Sequence, residues 1–234
     1  MPTIQTSTCK IRYRTIPIYG GIKRIDKQQA NENLQLLKKI LDKNGVTFLL
    51  FYGTLLGCVR EHDFITHDED IDLAMLDEDR QKLLDSLPEL IENGFQIARY
   101  DKRGLLSIIR KNEYIDFYFF VPYKEAGIRS CCGSLVFEKS LTEIAEYDFK
   151  GGKYMGPEDY EQHFRLEYGP DWRTPVQYFD FKPSKIKLLK MKVRAIGKEL
   201  LPDFICRRVE KKYEKQLENK YLVKLERYNG YEKK

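Results

Sequence analysis

A chain of 234 residues, 42% hydrophobic and 33% charged, is long enough for one packed core and too apolar for a disordered or fibrous protein. The apolar stretch 46–59 is shorter than the roughly 20 residues a membrane span needs, and the N-terminus lacks the basic-then-apolar layout of a signal peptide, so a soluble, non-exported protein is expected. The net charge of +5 conceals a division: residues 182–234 hold 17 Lys and Arg against 7 Asp and Glu, whereas residues 1–181 hold 24 against 29.

Residues 27–43 place Leu34, Leu37 and Leu41 on one helical face, behind a capping Asp26 and ahead of an Asn44-Gly45 stop, which predicts an amphipathic helix. Residues 46–52 read as a buried strand that ends at Gly53-Thr54, and residues 55–60 as a short helix. Glycine lets a backbone approach closely, threonine adds a hydroxyl and a helix start offers unpaired N–H groups, so this turn suits a phosphate. Most Gly-Thr turns bind nothing, and alone the feature decides little. Arg60 follows the turn by under two helical turns; it is read equally as a phosphate partner or as a surface arginine.

The stretch Thr66-His67-Asp68-Glu69-Asp70-Ile71-Asp72-Leu73-Ala74-Met75 is the most informative in the chain. In a strand Ile71, Leu73 and Met75 face a core, while Asp70 and Asp72 share the opposite face about 7 Å apart. Two carboxylates on one face repel, and a hard divalent cation such as magnesium relieves the repulsion. An EF-hand calcium loop fits less well, because Leu73 stands where glycine is needed and Asp79 where glutamate is. A solvated acidic turn remains the plain alternative. The run Tyr114-Ile115-Asp116-Phe117-Tyr118-Phe119-Phe120-Val121 is so apolar that Asp116 within it needs a partner: a salt bridge to Arg110 or Lys111 across a turn, or, favoured here, a shared metal. Together these residues predict a metal-assisted phosphoryl-transfer site.

Further on, Cys131-Cys132 reads as a loop. With Cys9, Cys58 and Cys206 it forms no C-x-x-C pair, so the thiols are expected to be reduced and neither a disulfide framework nor a zinc knuckle is suggested. His62, His67 and His163 show no zinc-hydrolase spacing. Residues 160–167 read as a helix in which His163 is a surface or packing residue, and Tyr168 and Trp172 are expected in a core, with stacking on a base or sugar as the alternative. From Lys182 onward the composition turns basic and helical, with Pro202 between a helix over about 185–200 and another over about 203–227. The main reading is a helix that docks its Ile186, Leu189, Val193 and Ile196 stripe on a core. An anionic membrane leaflet is the sharper one, and nucleic acid ranks lower.

The residues Phe51-Tyr52-Gly53-Thr54-Leu55-Leu56-Gly57-Cys58-Val59-Arg60 and Phe64-Ile65-Thr66-His67-Asp68-Glu69-Asp70-Ile71-Asp72 resemble the signature of the LicD/fukutin family, a branch of the nucleotidyltransferase superfamily. Phe149-Lys150-Gly151-Gly152, Gly156-Pro157-Glu158-Asp159-Tyr160 and Tyr168-Gly169-Pro170-Asp171-Trp172 resemble its downstream stretch. The resemblance spans roughly 27–175 and implies an α+β fold, a small mixed sheet flanked by helices, for a catalytic domain of residues 1–181 with 182–234 as a basic helical extension. It also implies transfer of phosphocholine, ribitol phosphate or glycerol phosphate from a CDP-linked donor to a hydroxyl of a glycan, releasing CMP. By that resemblance Gly53 and Thr54 contact the donor phosphate, Asp70 and Asp72 hold Mg²⁺ or Mn²⁺, and Asp116 is the third carboxylate. Asp116 either completes the metal site or takes the acceptor proton, with Asp68 and His67 as alternative bases. Thr66-His67 replaces the family's Pro-Trp and Glu69 its aspartate, which alters the pocket beside the metal pair. A nucleotidyltransferase acting on RNA or a small molecule is the first rival reading, a non-catalytic basic adaptor the second. The expected place is the cytoplasm, with a lipid-linked acceptor at the inner face of the membrane reached through the basic extension.

Overall fold

The computed structural model describes residues 1–16, 24–101, 104–123 and 127–175, and beyond them Arg208, Lys215, Asn219, Leu222 and Val223. The chain divides into two compact units, Met1–Thr174 and Pro175–Lys234. The five single positions of the second unit are helical; the predicted helix over 185–200 and the remainder of the one over 203–227 lie outside the described residues. Among the described residues no helix is long and apolar enough to cross a membrane.

In the first unit a small hairpin, β1 (Thr3–Gln5) and β2 (Lys10–Arg12), precedes α1 (Lys27–Lys43). The helix begins where the sequence says it should: Asp26 Oδ1 accepts from the Gln28 and Gln29 N–H groups at 3.1 Å each, and Gly45 leaves the last turn at φ +66°. A nine-stranded mixed sheet follows, built from β3 (Leu49–Leu50), β4 (Asp70–Leu76), β5 (Gln96–Asp101), β6 (Leu105–Arg110), β7 (Glu113–Pro122), β8 (Ile128–Cys131), β9 (Ser134–Phe137), β10 (Ile144–Phe149) and β11 (Gly152–Pro157). Its order is β10-β11-β3-β4-β7-β6-β5, with β8 added to the far end of β7 and β9 to β8. The pairs β4/β7 and β11/β3 are parallel and the rest antiparallel. Strands in parallel need a long crossover. Between β4 and β7 it is supplied by α3 (Arg80–Glu92), β5 and β6.

The period-two alternation sorts the central strands into two faces. Ile71, Leu73 and Met75 of β4, Ile115, Phe117 and Phe119 of β7, and Leu106 and Ile108 of β6 join Leu34, Leu37 and Leu41 of α1 and Leu83, Leu87 and Leu90 of α3 in the main core. Ala74 and Phe120 point the other way, into a smaller cluster with Leu49, Phe51, Cys131, Val136 and Leu141. Asp72 and Asp116 therefore stand on the face opposite the main core, beside that second cluster.

The structure corrects the reading of residues 46–60. Only Leu49–Leu50 pair as a strand: the Phe51 N–H still donates to the Asp72 carbonyl at 3.1 Å, but the chain breaks out of the sheet at Tyr52, whose φ is +39°. The helix α2 (Tyr52–Arg60) starts there, so Gly53 and Thr54 belong to its first turn instead of a separate loop. Cys131 likewise ends β8 and is buried; Cys132, with Gly133, forms the tight turn into β9. After the short α4 (Lys139–Thr142), the last element of the unit, α5 (Tyr160–Tyr168), is capped by Asp159, which accepts from the Gln162 N–H at 2.9 Å.

Candidate active site

The β4 segment from Asp70 onward brings two carboxylates to one face, and the parallel register sets Asp72 directly opposite Asp116 on β7. Neighbouring strands lie about 4.8 Å apart, so burial and mutual repulsion act together. Asp72 is 8% exposed and Asp116 2%. Burial first, and then Asp68 and Asp116, push the Asp72 carboxyl well above the usual carboxylate range. Asp70 is driven the same way by burial and by Asp72, Asp116, Asp68 and Glu69. Asp68, in the loop before β4, is raised by burial to about 6. Four acidic groups thus meet, and among the described residues Arg99 is the cation bonded to one of them.

α2 closes this cluster from one side. The Gly53 N–H donates to Asp72 Oδ2 at 3.2 Å, and the Tyr118 hydroxyl beside the same carboxylate partly offsets the rise in its pKa. A Cβ at Gly53 would lie 2.2 Å from Asp68 Oδ2 and 3.4 Å from Asp72 Oδ2, so two carboxylates converge over the bare Cα. Thr54 is 1% exposed, and its hydroxyl accepts the Asp72 N–H at 2.8 Å. The sequence reading gave both residues to a phosphate; the structure adds that Gly53 makes room for carboxylates and that the Thr54 hydroxyl ties α2 to β4. Arg60 is also engaged elsewhere, donating to the Trp172 carbonyl at 3.1 Å and to Glu61 Oε1 at 2.7 Å.

Asp116 has a salt-bridge partner, but neither of those expected. Arg110 donates to Asn33 and to the Asn93 carbonyl, and Lys111 pairs with Glu32, because the two-residue turn Lys111-Asn112 carries both away from Asp116. The partner is Arg99 of β5, whose Nη2 lies 2.8 Å from Asp116 Oδ2. Asp116 Oδ1 is buried without a hydrogen-bond partner. The sequence reading missed Arg99, as it missed Tyr118 and Tyr52, since strand periodicity gives the face of a residue and not its neighbour two strands away. Tyr52 packs edge-on against Tyr118 at 5.1 Å and donates to Ser134 Oγ at 3.0 Å. Tyr168 exposes 42% of its surface, yet burial of its hydroxyl end and the charges of Asp72, Glu167 and Asp68 raise its pKa.

The remaining candidates are structural. His163 is 3% exposed, stacks on Phe51 at 4.4 Å and is held neutral by burial, its pKa depressed to about 3, as a packing residue should be. Trp172 is buried against Phe164 and Tyr160. Cys131 donates to the Gly104 carbonyl and its thiol is pushed up, away from nucleophilic use. A surface cavity at the β10–β11 turn, lined by residues 148–153, includes none of these carboxylates.

Among the described residues no group of three or more His, Cys, Asp or Glu side chains stands arranged to hold a metal ion. The donor chemistry nevertheless fits a hard divalent cation: the groups are carboxylates only, their charges are mutually unfavourable, and a buried carboxylate oxygen of Asp116 lacks a partner.

The sequence model described as LicD/FKTN/FKRP, nucleotidyltransferase domain, matches residues 45–187. An uncharacterised protein of Rickettsia typhi is 26% identical over 156 residues, covering 64% of this chain and 49% of that protein. The ribitol-5-phosphate transferase FKTN of Homo sapiens is 27% identical over 172 residues, covering 68% of this chain and 36% of that protein. The chain thus spans about half or less of the length of these relatives. Among solved structures, that of the antibiotic-resistance factor ANT(2'')-Ia aligns over 88% of this chain and 99% of its own, with a TM-score of 0.46 and 13% identity.

Proposed function

The chain belongs to the LicD/FKTN/FKRP family of nucleotidyltransferase domains, and we propose that it transfers a phosphorylated alcohol from a CDP-linked donor to a hydroxyl of a glycan. The observation that carries this reading is the meeting of Asp70, Asp72 and Asp116 on one sheet face, where burial raises all three carboxyls and like charge raises Asp70 and Asp72 further. Packing alone has no use for such a group. Asp70 and Asp72, with the free oxygen of Asp116, would hold Mg²⁺ or Mn²⁺. When bound, the cation neutralises the donor diphosphate and the charge that develops on departing CMP.

The chain's own residues supply the rest. Gly53, lacking a side chain, leaves its Cα as an open floor between Asp68 and Asp72. The Thr54 hydroxyl fixes that floor to β4. Asp68, with a pKa of about 6, is ionised at neutral pH and near the range a general base requires. In this mechanism the acceptor oxygen attacks the distal phosphorus as its proton passes to Asp68. A new O–P bond forms, the bond to the bridging oxygen breaks, and CMP leaves. The name of the FKTN relatives makes CDP-ribitol the first donor to test. The basic residues of 182–234 suit a lipid-linked acceptor at an anionic membrane surface.

Incubation of the full chain with Mg²⁺ and CDP-ribitol, CDP-glycerol or CDP-choline should release CMP slowly by hydrolysis and faster with an acceptor. Asp72→Asn should lower that rate by at least about a thousandfold, on the scale of losing a preorganised electrostatic group, while keeping the fold. Release of pyrophosphate from a nucleoside triphosphate would establish the nucleotidyl-transfer rival instead, and no Mg²⁺-dependent nucleotide binding at all would leave the adaptor reading.

A further inference from the structure

A polar row crosses the sheet through two of the carboxylates. Asp72 on β4 pairs in register with Asp116 on β7, Asp116 with Ser107 on β6, and Ser107 with Arg99 on β5. The four residues are consecutive across four strands, amid strands otherwise rich in Ile, Leu and Phe. Ser107 is fully buried, and the Arg99 side chain is 28% exposed. Arg99 Nε donates to Ser107 Oγ at 2.7 Å while its Nη2 donates to Asp116 Oδ2 at 2.8 Å, so one guanidinium bridges the two, and Ser107 beside the Asp116 carboxyl acts with Arg99 against the rise that burial gives its pKa. The buried Asp116 Oδ1 is left without a partner.

We propose that Arg99 and Ser107 are positioning residues for the cation site: they fix the Asp116 carboxylate by one oxygen so that Oδ1 is presented to the Asp72 side. The proposal rests on the reading of Asp70, Asp72 and Asp116 as cation ligands. A guanidinium fork can clamp a carboxylate plane and a neighbouring hydroxyl at once, which an ammonium cannot. Two opposing effects follow from removing Arg99. Loss of its positive charge favours a divalent cation nearby, whereas loss of the clamp lets the carboxylate turn away. Partners that orient metal ligands are typically worth about 10–100-fold in affinity, and the arginine's charge is partly screened at its exposed end, so orientation is expected to dominate.

Mn²⁺ binding to the full chain, read by loss of the free-ion electron paramagnetic resonance signal, tests this without turnover. Arg99→Met and Arg99→Lys should both weaken Mn²⁺ binding at least about tenfold, and Ser107→Ala should weaken it in the same direction, with thermal melting confirming folded protein. Wild-type affinity in Arg99→Lys, or tighter binding in Arg99→Met, would overturn the proposal in favour of a charge effect. Should the arginine variants fail to fold, unchanged affinity in Ser107→Ala would overturn it alone. If Asp72→Asn loses Mn²⁺ while the Arg99 variants keep it, only the positioning role falls; if wild type takes up no Mn²⁺, the phosphotransfer reading falls with it.

Discussion

Asp68 shows how much one buried carboxyl can say. Its pKa rises from 3.8 to about 6 on folding, chiefly because burial disfavours the charged form. The folded chain therefore holds this proton more tightly than the unfolded chain, and stability falls as pH rises from about 4 through 6. Asp68→Asn removes the titration. Its melting temperature should match wild type near pH 4 and exceed it above pH 7 without divalent cations. The shift in pKa sets a ceiling of about 3 kcal/mol; the partial exposure of Asp68 brings the expectation to roughly 1–2 kcal/mol, or about 2–8 °C. A constant offset across pH in metal-free melting curves would contradict that assignment. The surplus of negative charge was legible in the sequence, since Asp70 and Asp72 alternate with Ile71, Leu73 and Met75. The counter-cation was not. Arg99 lies 17 positions before Asp116, and a long arginine reaches across β6 only because β5, β6 and β7 pair in the register they do.

At the scale of elements, the join between β3 and α2 carries the site. Gly53 and Gly57 both sit in α2 and look equivalent in sequence, but their neighbours differ. A Cβ at Gly57 would come 2.5 Å from the Asp63 backbone carbonyl, which cannot step aside, whereas at Gly53 it would meet the mobile end of the Asp68 side chain. Gly53→Ala gains roughly 0.5–1 kcal/mol of helix propensity and displaces a carboxylate, so unfolding should be almost unaffected while Mn²⁺ affinity and transfer fall at least about tenfold. Calorimetry beside a Mn²⁺ titration separates the two effects; a joint loss of stability and binding would place Gly53 with Gly57 as a packing glycine. The sequence pattern revealed α1 together with its cap and stop, and it marked β4 and β7 by their apolar alternation. It overextended β3, because residues 46–48 are as apolar as a strand but find no ladder, and the sheet is left at Tyr52 through a left-handed backbone that composition does not announce.

For the whole molecule, the unequal charge of its parts is the distinguishing property, with a net +10 on residues 182–234 and −5 on the remainder. If the basic segment meets an anionic membrane, the full chain should sediment with phosphatidylserine-containing vesicles at about 0.05 M salt and be released near 1 M, where the screening length falls to about 3 Å. A chain ending at residue 181 should not sediment at either salt concentration; equal sedimentation of both forms would remove the membrane role from this segment. The sequence by itself determined the acidic strand, the amphipathic helix, the apolar faces and this charge division, because each follows from local spacing and composition. Only the tertiary structure decided that Asp72, Asp116, Ser107 and Arg99 form one line, that Thr54 serves the strand, and that Arg60 is bound elsewhere. Those outcomes depend on pairing between strands remote in sequence, where shifting a register by one residue sends every side chain to the opposite face.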